Sequence, residues 1–195
     1  MSNLKHLILL AAFAFASPAF AQSYQFFGGM YGFGANGKLY HNPYTNAASC
    51  PAGYAAYKIL GTDTIDFPLY YCGRTPSNSV APVADFGGMF GFGSPSGYPN
   101  PITGGFNCPT GYTATQVLGS AGTDYSLFFC HKTGSSNPQY RLNGMWGGYW
   151  TGSFHADYPN PLTGGGSCPS GTTAAKTLGT LNIDYHVIPC FQTMY

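Results

Sequence analysis

Six cysteines set the frame of this chain. They are Cys50, Cys72, Cys108, Cys130, Cys168 and Cys190, and each successive pair is 22 residues apart (72−50, 130−108, 190−168). The pairs begin 58 and 60 residues apart (108−50, 168−108). Other residues keep fixed offsets from the first cysteine of each pair. Asn42, Asn100 and Asn160 stand eight before it, and Tyr40, Tyr98 and Tyr158 ten before; Thr45, Thr103 and Thr163 stand five before. Gly53, Gly111 and Gly171 stand three after, and Leu60, Leu118 and Leu178 ten after. A phrase of that length held without a gap means three copies of one unit. The copies are placed at 26–74, 86–132 and 143–192. Each opens on glycine, methionine and aromatics: FFGGMYGFG from Phe26, FGGMFGFG from Phe86 and NGMWGGYW from Asn143.

The second half of each unit reads as a hairpin. YAAYKIL, YTATQVL and TTAAKTL are strand-like runs, answered by DFPLYYC, DYSLFFC and DYHVIPC. The midpoints of the cysteine pairs are Gly61, Gly119 and Gly179. Arms folded about those points bring the cysteines together at the open end. Six cysteines allow 15 pairings on paper, and the hairpin selects Cys50–Cys72, Cys108–Cys130 and Cys168–Cys190. Metal ligation would need close spacings such as Cys-x-x-Cys, and none occurs. Asn-Pro followed by Gly-Gly, and then Cys-Pro-x-Gly, are turn signals. The repeated phrase is therefore read as the corner that each unit must make.

Composition points the same way. Glycine numbers 28, aromatics are 17% of residues, only 7% are charged, and Glu is absent. Glycine disfavours helices, whereas Tyr, Phe, Val, Ile and Thr suit strands. The abundance of rings and scarcity of charge argue against disorder. The expectation is an all-β domain in which three disulfide-closed repeats share a core as a pseudo-threefold β-prism, with a β-trefoil-like arrangement as the alternative.

The first residues read as a secretory signal peptide. Lys5 and His6 precede an apolar run from Leu7 to Phe15, Pro18 breaks it, and Ala19-Phe20-Ala21 is a small-x-small site. Cleavage is expected before Gln22, leaving 174 of the 195 residues as one domain (22–195) that is soluble or peripherally bound, in the periplasm or outside the cell. Export supplies the oxidising compartment that disulfides need. The formal net charge of +1 gives no basic footprint, so no nucleic-acid partner is expected.

The order Gly87-Gly88-Met89-Phe90, then Asn100-Pro101-Ile102-Thr103-Gly104, then Cys108-Pro109-Thr110-Gly111-Tyr112, with counterparts in the other copies, carries a resemblance. It resembles the region following the pore-forming domain in macrophage-expressed perforin-like proteins. That resemblance covers nearly the whole mature chain. It implies a β-prism of the multivesicular-body-associated type, which in that family contacts acidic membrane lipids. The mature chain has no room for a pore-forming domain, so the expectation is binding and not perforation. It also departs in charge: only six basic residues follow the signal segment, and they are scattered. No lipid-contacting residue is carried over from the family.

Catalytic patterns are missing. There is no Gly-x-Ser-x-Gly elbow, and no cysteine is left once the pairs form. The Gly-rich openings lack the Lys and following helix of a phosphate loop. His41, His131, His155 and His186 occupy different repeat positions and read as surface or satisfied side chains. Asp66, Asp124 and Asp184 share one repeat position. They could ring a cation at an axis, but capping of the second hairpin arm is the simpler reading, and neither metal nor cofactor is expected. The rings of the Gly-rich openings are the candidate ligand-binding residues: Tyr31, Phe33, Phe90, Phe92, Trp146, Tyr149 and Trp150. Their alternative role is to fill the core. The third copy diverges most, with both tryptophans and 23 residues from Met145 to Cys168 against 20 and 19 in the others.

The functional expectation is a secreted, non-enzymatic module that contacts a membrane surface or lipid headgroups. A glycan-binding, lectin-like module is the second reading. The third is a structural protein that self-associates.

Overall fold

The computed structural model describes residues 24–34, 38–61, 68–76, 82–92, 97–119, 126–135, 137–151, 154–178 and 186–194. The expected signal segment, the three equivalent aspartates and Gly179 lie outside those residues.

The described residues form strands and turns without helices. The first unit supplies β1 (Phe26–Phe33), β2 (Leu39–Tyr40), β3 (Ala55–Leu60) and β4 (Leu69–Arg74). The second supplies β5 (Ala84–Phe92), β6 (Gly97–Tyr98), β7 (Thr113–Gly119) and β8 (Ser126–Thr133). The third supplies β9 (Tyr140–Thr151), β10 (Phe154–Tyr158), β11 (Thr173–Ala174) and β12 (His186–Thr193). The pairing is antiparallel throughout, in the order β2-β1-β4-β3 within the first unit. The order is β6-β5-β8-β7 in the second and β10-β9-β12-β11 in the third. The first two units join through one pair, Phe27 with Ala84, and the first meets the third through the Gln25–Leu142 bridge.

Each hairpin is closed by its own disulfide: Cys50–Cys72, Cys108–Cys130 and Cys168–Cys190, with Cα separations of 5.4, 5.4 and 5.5 Å. These lie within the ordinary disulfide range. Three such bonds fit an oxidising environment outside the cytoplasm. The third hairpin is the short one. Its inner strand carries Pro189 where the others carry Tyr71 and Phe129. Proline brings no N–H to the ladder, and β11 is only two residues long against six and seven for β3 and β7.

The core draws equivalent residues from every unit. Phe27, Phe86 and Leu142 belong to one buried cluster, as do Met30, Met89 and Met145, and Leu69, Leu127 and Val187. Phe27 meets Phe86 and Phe129 edge-on, with ring centroids 5.3 and 5.7 Å apart. The contacts between units run in a cycle. Gly32 lies against the Val117 carbonyl, Gly91 against that of Thr177, and Gly147 against that of Ile59. These carbonyls stand nine residues after the first cysteine of their units. A side chain at any of the three glycines would strike backbone, so each must be glycine for the next unit to approach.

The Asn-Pro corners are held by buried side chains. Asn42, Asn100 and Asn160 are fully buried. Their Nδ2 groups donate to the carbonyls of Gly28, Gly87 and Asn143 at 2.9–3.0 Å. They also donate to those of Ser49, Asn107 and Ser167, each at 3.2 Å. Each amide lies 3.3–3.4 Å from the disulfide sulfur of Cys72, Cys130 or Cys190. Each Oδ1 accepts the backbone N–H two residues on, at 3.0–3.1 Å. One side chain thus ties the opening strand, the corner and the disulfide together in every unit. The turn that follows needs a left-handed residue four before the cysteine. Gly104 and Gly164 supply it at φ 71°, and Asn46 supplies it at φ 52°, asparagine being among the side chains best tolerated there.

Candidate functional site

The outer sheet faces of the three units, the first two joined in one eight-stranded sheet and the third a four-stranded sheet, carry the candidate rings. Residues Tyr31, Phe90 and Trp146 follow the core methionines by one, so strand alternation turns them outward. In the first two units the corner then covers them. Tyr31 is buried beside Ala48 and Cys50 and stacks on Tyr70, with centroids 5.0 Å apart. Phe90 is buried and stacks on Phe128 at 5.1 Å. Two residues further on, the strands run out from under the corner, and Phe33 and Phe92 emerge at 37% and 41% exposure. Of the first-copy and second-copy candidates, Phe33 and Phe92 are therefore the pair that a ligand reaches.

Two exposed neighbours escaped the sequence reading. Leu39 pairs with Phe33 across β1 and β2 and is 39% exposed. Phe106 is 48% exposed and stacks on Phe92 at 4.8 Å. A signal for Phe106 was present, because it stands two before the cysteine where the other copies carry Ala48 and Gly166. The second face thus bears four rings in contact: Phe90, Phe92, Phe106 and Phe128.

The third face is built differently. Trp146 is half-buried and meets the His186 ring edge-on at 5.4 Å. Gly148 replaces Phe33 and Phe92, with Asp157 and His186 as its register partners on either side. Tyr149 and Trp150 lie in β9 opposite Ala156 and His155, and their side chains fall outside the described residues.

Charge is dispersed over rings. Lys38, Arg74, Lys132, Arg141 and Lys176 stand 4.4–5.4 Å from the centroids of Tyr40, Tyr54, Tyr112, Tyr24 and Tyr98. Lys58 lies between Tyr70 and Tyr158, at 5.9 and 5.6 Å. These six are all the basic residues beyond Lys5, so every one is held in a cation–π contact and no two are gathered by the sequence into a basic cluster. Asp85 is buried, accepts from the N–H and hydroxyl of Ser135 at 3.0 and 2.9 Å, and lies 3.8 Å from Lys132. Burial, with the Asp85 charge next, pushes the Tyr112 hydroxyl up to about 12.

The histidines divide by setting. His131 is buried between the first two units, with Nδ1 2.7 Å from the Tyr44 hydroxyl and Nε2 2.7 Å from the Thr115 hydroxyl. The Tyr44 hydroxyl donates to the Lys132 carbonyl at 2.9 Å, so His131 donates from Nδ1 and accepts at Nε2. Burial holds its pKa below the usual histidine value. His41 is exposed and His186 buried. Among the described residues no three His, Cys, Asp or Glu side chains are placed to hold a metal ion. No protein-family model and no curated protein sequence matches the chain.

Proposed function

We propose that this chain is an exported, non-enzymatic binding module whose three repeats close about a pseudo-threefold axis as a β-prism, and that it seats on a membrane surface. The prism reading is supported by the cycle of glycine-to-carbonyl approaches and by a core drawn from equivalent residues of all three units. The resemblance to the β-prism of macrophage-expressed perforin-like proteins agrees with it.

One observation carries the membrane reading. Large apolar side chains project at equivalent strand ends of two units, Phe33 with Leu39 and Phe92 with Phe106. Projecting rings and aliphatics enter the interfacial layer of a bilayer readily. The cations are occupied over rings, so binding is apolar in origin and depends weakly on anionic lipid and on salt. That departs from the acidic-lipid preference the resemblance implies.

Co-sedimentation with phosphatidylcholine vesicles, with and without phosphatidylserine, tests this. Phe92 and Phe106 are already about half buried, so the double change to serine is expected to weaken partition about tenfold. Partition undiminished by the double change, or binding that requires phosphatidylserine, would overturn the reading.

A further inference from the structure

The four positions that hold Phe90, Phe92, Phe106 and Phe128 in the second unit hold Trp146, Gly148, Gly166 and Ile188 in the third. Three of four rings are gone, and the one that remains is the largest. In the first two units the ring after the core methionine is stacked by Tyr70 or Phe128. Ile188 stands at that position in the third unit, so the indole has no parallel ring partner there. A β-carbon on Gly166 would lie 3.4 Å from Trp146 Cε3, which places the bare glycine against the indole.

The polar groups arrive at the same place. Asp157, Gly148 and His186 are register partners across β10, β9 and β12. Directly opposed residues share a face, and the central one has no side chain. A β-carbon on Gly148 would lie 2.5 Å from His186 Cε1 and 3.2 Å from Asp157 Oδ1, so imidazole and carboxylate converge above the glycine. The equivalent positions are Leu39 and Pro68 in the first unit and Gly97 and Ser126 in the second. Packing of this fold therefore requires neither an acid nor an imidazole there. Asp157 is exposed, whereas the other described carboxylate, Asp85, is buried against Ser135 and Lys132.

We propose that the third unit carries a saccharide-binding subsite, in which a sugar ring lies on Trp146 and two of its hydroxyls donate to the Asp157 carboxylate. A pyranose offers an apolar C–H face to an aromatic surface and donor hydroxyls at its edge. One indole beside one exposed acceptor matches both. His186 is a positioning residue, meeting the indole edge-on and reaching the space beside the carboxylate. A quaternary ammonium headgroup would call for a cage of several rings, and of the four compared positions only Trp146 carries one in this unit. The subsite is independent of the membrane reading, which rests on the other two units.

The test is titration of the ¹⁵N-labelled full-length mature protein with a panel of methyl glycosides of mannose, galactose, glucose, fucose and N-acetylglucosamine, up to tens of millimolar. The Trp146 indole resonance is the readout, assigned from Trp146→Phe. At least one glycoside is expected to shift it saturably. Asp157→Asn is expected to weaken that glycoside about tenfold, the loss of a charged acceptor, while Phe92→Ser leaves it unchanged. Asp157 is exposed, and an unchanged urea midpoint for Asp157→Asn is the control that separates lost binding from lost fold. No shift with any glycoside overturns the proposal, as does equal affinity in Asp157→Asn. A saturable shift with phosphocholine and none with the sugars overturns it equally.

Discussion

At the scale of single residues, three asparagines hold most of the architecture. Each sits in a fully buried position and satisfies four polar groups at once, including a disulfide sulfur 30 residues away. Asn100→Ala leaves the carbonyls of Gly87 and Asn107 and the N–H of Ile102 without that partner. It should cost about 2–3 kcal/mol in urea denaturation. Gly104→Asn should cost little, because φ there is 71°, nothing stands within 4 Å of an added β-carbon, and Asn46 already fills the equivalent position. His131 gives the fold an acid sensitivity. Its folded pKa lies below the unfolded value of 6.5, so the unfolded chain binds a proton first as pH falls. That stability is intact above 6.5 and declines below it. The groups facing the imidazole are Tyr44, Thr115 and Phe129, with Lys132 and Asp85 nearby. Denaturation at pH 7.5 and pH 5 should show the wild type losing more stability than His131→Gln. These roles were half legible. Fixed offsets marked the asparagines as repeated, and Asn-Pro read as turn punctuation. Spacing says nothing of where a side chain points, so its reach to the sulfur was hidden.

At the scale of elements, the cysteine-closed hairpin is the unit that the sequence describes best. Both arms and their disulfide follow from a separation of 22 residues about a central glycine. Replacing Cys108 and Cys130 together by serine should cost about 3–3.5 kcal/mol from the lost loop constraint, read as a lower urea midpoint with an altered slope. Pro189 was in plain view, but its consequence, a β11 of two residues, depends on its lying in an inner strand between two partners. The opening strands were harder still. β5 is buried on both faces except at its last residue, and β1 except at its two ends. The corner loops fold over the outer face, and only that cover separates buried Tyr31 and Phe90 from exposed Phe33 and Phe92.

At the scale of the whole molecule, no unit can bury its own core. Met30, Met89 and Met145 share one cluster, and the contacts between units close in a ring. A chain ending at Ser135 would leave Gly91 and the Phe27–Phe86 contact open to water where the third unit should stand. It should show no cooperative thermal transition by circular dichroism and should bind a hydrophobic dye; a sharp transition in that fragment would contradict mutual burial. The differences among the units also belong to this scale. Where the first two place Tyr54 or Tyr112 against Gly28 or Gly87 and under Arg74 or Lys132, the third has Thr172, Asn143 and Gln192. The bulk of Asn143 becomes admissible when the tyrosine ring goes, so the three positions change together.

The sequence by itself determined the three repeats, the strand-rich composition and the partner of every cysteine, because these depend on separations along the chain. Tertiary structure decided which rings face solvent and which cations stand over aromatics. It also decided that Asp157 and His186 meet above Gly148. Those outcomes depend on how sheets pair in register and on what neighbouring loops cover, and both bring together residues whose distance along the chain carries no information about their contact.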